Sequence, residues 1–277
     1  MSPLSTLRRW FRAAPLAILV LSLSGCDLLE FSPNDSRVPE EFTNLTQKNL
    51  AKLEANPLAP GDTLRFVFTG DSQQFYDEAE ALVKSVNQQP DISFLLVAGD
   101  ISDFGLAREM RWVDEKLRRL NVPYLTVVGN HDLIGNGRET YQRIFGDLNY
   151  SFVYGDTKFI MVDTNGREYN FNGQVPNMGW LKPQLANFDG ARRQVVVAHV
   201  PPNDVDFDPA LSVPYAQALR DTENLVLKMN GHRHSSSVGQ PYDDGVTYVN
   251  SDAFSERTYM VVTVWGDREF RIKQVQF

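Results

Sequence analysis

Tyr124-Leu125-Thr126-Val127-Val128-Gly129-Asn130-His131-Asp132 reads as a short buried strand that stops on a glycine and hands over at once to three polar side chains. A brief apolar run bounded by a turn residue suits a strand inside a sheet. The residues after it are types that bind cations or move protons. The same grammar recurs on either side. Upstream, Leu64 to Phe68 runs into Thr69-Gly70-Asp71, and Ser93 to Ala98 runs into Gly99-Asp100. Downstream, Gln194 to Ala198 ends on His199, and Asn224 to Met229 ends on Asn230-Gly231-His232.

Between the early strands, Phe75 to Val86 and Leu106 to Leu120 carry apolar residues at helical spacing. Strands alternating with helices argue for an α/β sheet with parallel neighbours. Such sheets place ligands beyond the carboxyl ends of their strands. Val246 to Asn250, Tyr259 to Val264 and Phe270 to Val275 alternate with turns and read as antiparallel strands closing the domain. Met178-Gly179-Trp180-Leu181 with Leu185 reads as the start of a helix whose tryptophan packs in the core. Phe171 to Asn177 and Pro201 to Val213 read as loops, the second expected on a substrate rim because it follows His199. Its neighbourhood includes Asn203, Asp204 and Tyr215, to which the sequence assigns no role.

The polar residues at the strand ends are Asp71, Asp100, Asp103, Asn130, His131, His199, His232 and His234, which include all four histidines of the chain. Carboxylates with imidazoles suit divalent Mn, Fe or Zn. The single cysteine, Cys26, leaves no thiolate set for a structural zinc site of the finger kind.

Taken in order, Asp71-x-Gln73, Gly99-Asp100-x-x-Asp103, Gly129-Asn130-His131-Asp132, His199 and Gly231-His232-x-His234 resemble the calcineurin-like metallophosphoesterase family from about residue 63 to the end. The resemblance implies a four-layer α/β/β/α sandwich with mixed sheets, spanning 62–277. It also implies phosphate-ester hydrolysis, of a mono- or diester, by a hydroxide bridging two divalent ions. Asp71, Asp100 and His234 would hold one ion, and Asp100, Asn130, His199 and His232 the other. His131 would face the leaving group as general acid, with Asp103 orienting it; Asp103 as a helix N-cap stays open beside that role. Asp132 is expected to support or cap rather than ligate.

The chain departs from the family at Gln73, where a histidine is usual. An amide oxygen is a weaker, neutral donor than imidazole, so Gln73 implies a looser first metal. A non-enzymatic envelope lipoprotein that keeps the fold as a binding or scaffold module is the alternative. His131 stands against it, because metal binding alone does not require that residue.

With 277 residues, 42% hydrophobic and 22% charged, the chain can bury a large core. Its net charge of −8 argues against nucleic acid, and the resemblance implies a small phosphorylated substrate. Arg8, Arg9 and Arg12 precede an apolar run from Ala13 to Leu23 that ends in Leu23-Ser24-Gly25-Cys26. That ending resembles a bacterial lipobox: residues 1–25 would be a lipoprotein signal peptide and Cys26 the lipidated N-terminus. Arg8-Arg9 leaves twin-arginine export open beside the general secretory route. Residues 26–61 then read as a lipidated cysteine and a flexible, proline-punctuated tether spanning roughly 30 Å, with a short helical stretch around Leu45 to Leu53. The protein would be exported and anchored to a membrane surface, and Asp27 leans this toward the inner membrane. Nothing in the sequence sets an oligomeric state.

Overall fold

The structure is a computed structural model that describes residues 37–277. The expected signal peptide, Cys26 and the first part of the expected tether lie outside the described residues.

In chain order the elements are α1 (Leu45–Glu54), β1 (Leu64–Thr69), α2 (Tyr76–Val86), β2 (Leu95–Val97), α3 (Ala107–Leu117), β3 (Tyr124–Thr126), α4 (Gly137–Ile144), β4 (Tyr150–Tyr154) and β5 (Thr157–Val162). They continue with α5 (Met178–Ala186), β6 (Arg193–Ala198), α6 (Pro209–Arg220), β7 (Leu225–Asn230), β8 (Ser237–Gly239), β9 (Tyr248–Asn250), β10 (Thr258–Trp265) and β11 (Glu269–Gln276). They form a five-stranded sheet, β11-β10-β1-β2-β3, and a six-stranded sheet, β4-β5-β6-β7-β9-β8. Both are mixed: β1, β2 and β3 run parallel while β10 and β11 are antiparallel.

Strand periodicity builds the layers. Along β1, Phe66 and Phe68 point to one face and Val67 to the other; along β5, Phe159 and Met161 alternate with Ile160 and Val162. Phe66, Phe68, Phe159 and Met161 share a buried cluster between the sheets, where the Phe66 and Phe94 rings stack at 5.3 Å. Val67 packs outward with Leu82, Val83, Met110 and Val113 of α2 and α3, and Ile160 and Val162 pack outward with Leu181, Leu185 and Leu219 of α5 and α6. Helices therefore cover the outer face of each sheet, which is the α/β/β/α sandwich expected.

Three local expectations are corrected. From Val38 onward the supposed tether is part of the domain: Phe42, Leu45 and Leu53 are buried, and the guanidinium groups of Arg111 and Arg118 lie 5.1 and 4.5 Å from the centre of the Phe42 ring. Its prolines and polar residues masked three well-spaced anchors. The 201–213 stretch is loop only to Asp208, whose carboxylate accepts from Ala210 N at 3.0 Å and starts α6 with Pro209 in its first turn. Tyr215 thus sits buried in the helical layer, away from any rim. β9 does not join the antiparallel close; it lies parallel to β7 in the other sheet.

No strand is expected from the sequence at the β4–β5 hairpin, although Phe159 to Val162 is an unbroken apolar run directly after Lys158. That lysine is buried, and its Nζ reaches the carbonyls of Gln184 and Asn187 at 2.9 and 2.6 Å and Asp189 at 2.7 Å. No helix among the described residues is long and apolar enough to cross a membrane.

Candidate metal centre

The loops after β1, β2 and β3 interlock through their backbones. Asp71 N donates to the Gly99 carbonyl and Gln73 N to the Asp100 carbonyl, each at 3.0 Å. Asp71, Gln73, Asp100, His232 and His234 all occupy the left-handed backbone region, with φ of 55°, 34°, 54°, 73° and 52°. Non-glycine residues enter it at an energetic cost, and such positions gather at functional sites. Gly129 makes the closest approach: a Cβ there would lie 2.1 Å from both Asp100 N and Asp100 Oδ1.

Asp132 ties these loops together from below. Its buried carboxylate accepts from Ser102 N and Ser102 Oγ at 2.8 Å, Gly129 N at 2.9 Å and Ile101 N at 3.2 Å. Burial and the nearby Asp100 charge push its pKa up to about 6, against the pull of those donors. It supports, as expected, and touches none of the imidazoles in hydrogen-bond range.

His199, at the end of β6, comes from the other sheet. Its Nδ1–H donates across the sandwich to the Ala98 carbonyl at 2.5 Å, turning Nε2 toward Asp100 Oδ2 at 3.3 Å and Asn130 Oδ1 at 3.0 Å. His232 Nδ1 also lies 3.0 Å from Asn130 Oδ1, so two rings and one amide oxygen converge. On the opposite flank, His234 Nε2 stands 3.3 Å from Asp71 Oδ1, and Gln73 Nε2 donates to Asp100 Oδ2 at 3.3 Å. The structure therefore gathers Asp71, Gln73, Asp100, Asn130, His199, His232 and His234 at one place.

Charge decides what this place can hold. Asp71 and Asp100 are fully buried, and with His199 their ligand atoms lie within 4.8 Å of one another. Carboxylates taken out of water that close together need compensating positive charge. Burial would lower the His199 pKa, but Asp100 first and Asp71 next outweigh it and push the ring up to about 10. Burial likewise disfavours the Asp100 anion, yet His199 holds its pKa below the usual carboxylate value. A divalent cation coordinated by nitrogen and oxygen would meet this demand more fully than one proton, so the residues present fit a metal.

His131 stands apart from that set. Its backbone N–H donates to Asp100 Oδ1 at 2.9 Å, while its ring Nδ1 lies 2.8 Å from the main-chain carbonyl of Asp103. The group that orients the ring is thus the Asp103 backbone oxygen, where the sequence suggested a carboxylate. Nor is Asp103 an N-cap: α3 starts at Ala107, with Glu109 closing the turn onto the backbone of Phe104 and Leu106.

Two further acids meet the centre: Asp204, to which the sequence assigns no role, and Asp206, which it does not single out. Asp204 Oδ1 and Asp206 Oδ2 each lie 3.5 Å from His232 Nε2, the nitrogen turned away from Asn130. Asp204 also pairs with Arg233 at 3.1 Å, and Asp206 with Arg167. The available signal was the Asp204-x-Asp206 spacing soon after His199, which puts both side chains on one side of a loop. Burial pulls the His232 pKa down, and His199 adds to the effect.

The chain matches the calcineurin-like phosphoesterase family over residues 64–236. It belongs to that family. Calcineurin-like phosphoesterases are, as a family, metal-dependent hydrolases of phosphate esters. Among curated relatives, a protein of Arcobacter nitrofigilis named probable glycerophosphodiester phosphodiesterase GpdQ is 26% identical over 121 residues, which is 42% of this chain and 44% of the relative. The match therefore spans under half of that relative's length. Among solved structures, purple acid phosphatase PPD1 from yellow lupin superposes with a TM-score of 0.63 at 13% identity, over 79% of this chain and 53% of that one. A dimetal phosphatase from Danio rerio superposes at 0.59 and 14% identity, over 78% and 98%. At these identities the likeness concerns the fold alone.

Proposed function

We propose that this calcineurin-like phosphoesterase uses two divalent cations, Mn, Fe or Zn. Asp71 and His234, with Gln73 beside them, hold one; Asn130, His199 and His232 hold the other; Asp100 serves both. The observation that carries this reading is the position of Asp100 Oδ2, 3.3 Å from Gln73 Nε2 on one flank and 3.3 Å from His199 Nε2 on the other. When bound, the cations would supply Lewis acidity toward the phosphoryl group and lower the pKa of water toward neutrality.

The remaining work belongs to the chain. Asp71 and Asp100 provide the negative charge that selects cations, while His199 Nδ1–H, fixed on Ala98, keeps Nε2 available as a donor atom. His131 donates through Nδ1 to the Asp103 carbonyl, which leaves Nε2 to hand a proton to the departing oxygen. Asp204 and Asp206 hold the far side of the His232 ring.

The substrate is a phosphate mono- or diester, and the Arcobacter relative's name favours a diester. Metal analysis and hydrolysis of chromogenic mono- and diesters with Mn²⁺ test the proposal. Wild type should carry two ions, and Asp100→Ala should lose activity by at least roughly a hundredfold, since even a supporting group around a metal is worth that much. Undiminished hydrolysis by Asp100→Ala would sink it.

The reading extends to location. Leu23-Ser24-Gly25-Cys26 after an apolar run supports export and a lipid anchor on Cys26 at the envelope side of a bacterial membrane. Metabolic labelling with a palmitate analogue should mark the wild-type protein and miss Cys26→Ser; equal labelling of both ends that part of the proposal.

A further inference from the structure

Apolar side chains in water are ordinary when scattered and informative when they share a site. Among the described residues, Phe104 is 60% exposed, Ile134 44%, Phe171 40% and Val205 80%. All four stand on loops that carry or brace the metal centre. Phe104 follows Asp103, whose carbonyl holds His131, and Ile134 lies three residues beyond His131. Their two loops run in contact: a Cβ on Gly105 would meet the Ile134 carbonyl oxygen at 2.4 Å.

Across the site, Val205 sits between the two acids that face His232 Nε2. Phe171 closes the Gly166–Tyr169 turn with a bond from its N to the Gly166 carbonyl at 2.9 Å, and Arg167 N ties that turn to the Asp206 carbonyl at 3.0 Å. The Arg138 guanidinium, 5.1 Å from the centre of the Tyr169 ring, joins the turn to the His131 side. These contacts link the loops into one rim. Phe104 and Ile134 stand on the two loops that hold His131, the residue that would meet a leaving group.

Solvated phosphate esters with polar alcohols gain nothing from such a rim. Resting on the phosphoesterase reading above, we infer that the enzyme takes amphiphilic esters: the phosphate enters the metal centre, and an alkyl chain on the leaving oxygen lies against Phe104 and Ile134. The chain occupies this surface because it is bonded to the group that His131 serves, whereas a docked protein would have to cover the mouth of the site.

The test compares binding of methylphosphonate and n-octylphosphonate, below the micellar range of the latter, to the full-length Mn²⁺-loaded protein by titration calorimetry. Octylphosphonate should bind at least roughly tenfold tighter, as partial burial of several methylenes requires. Phe104→Ser combined with Ile134→Ser should cut that ratio at least threefold, while Val153→Ser, an exposed apolar residue on β4 paired with Lys158 at the end of the sheet opposite His199, should preserve it. A wild-type ratio short of tenfold, or a smaller cut in the double variant, overturns the inference. Hydrolysis of chromogenic esters is measured alongside. Its absence would count against the phosphoesterase reading, while the phosphonate ratio would still decide the inference.

Discussion

His131 Nδ1 and the main-chain oxygen of Asp103 lie 2.8 Å apart, so the ring is held by backbone and its tautomer is independent of the Asp103 side chain. Asp103→Ala should therefore keep kcat within about threefold of wild type. His131→Ala should lose roughly 10²–10⁴-fold, the usual weight of a general acid. Steady-state kinetics on the two variants checks this. A loss at Asp103→Ala as deep as at His131→Ala would return the carboxylate to the role the sequence suggested.

On the two-cation proposal, Gln73 should make the first cation the looser of the two. It donates to Asp100, and His234 on the same flank is 43% exposed at its side chain, whereas His199 is fully buried. Gln73→His should lower the Kd of the weaker Mn²⁺ by roughly tenfold and leave the tighter one unchanged, since imidazole is the stronger donor. Identical titration curves for the two proteins would contradict this.

Metal loading should expel a proton. Before a cation binds, Asp100 and Asp71 keep His199 protonated up to about pH 10, despite the burial that opposes its charge. A ligand must be neutral to bind, so the cation competes with that proton. Affinity of the site that His199 serves should rise with pH by up to about one log unit per pH unit below 10, with about one proton released from this residue when that site fills. Calorimetry in buffers of different ionisation enthalpy reads the number directly.

The segment before β1 should matter to stability and leave catalysis alone. Leu45→Ala and Leu53→Ala each remove a buried side chain and should cost about 2–5 kcal/mol of unfolding free energy. In a free tether both would be silent. Chemical denaturation distinguishes the outcomes, and kcat should stay at the wild-type value.

Where residue type and local pattern suffice, the sequence was a good guide. β1, β2, β3, β6 and β7 announce themselves as apolar runs ending in glycine or a polar ligand type, and every expected metal ligand arrives at the same place. What stayed hidden depends on partners distant along the chain. Lys158 looks like a solvated charge until Asp189 and two carbonyls receive it in the interior. Phe42 looks like tether until Arg111 and Arg118 flank it. The orientation of His131 turns on a carbonyl oxygen, which every residue has and no sequence pattern marks. Asp204 and Asp206 gain meaning only once β6 and β7 bring their loop beside His232.

Asp71, Asp100 and Asn130 descend from one sheet, and His199, His232 and His234 from the other. The centre thus sits astride the seam of the sandwich, and any cation shared by Asp100 and His199 acts as a rivet between its halves. Ligand binding to the folded state alone raises stability by mass action. Here the gain should fall on the docking of one half against the other, so that stripping the metal loosens the two sheets from each other before either one melts.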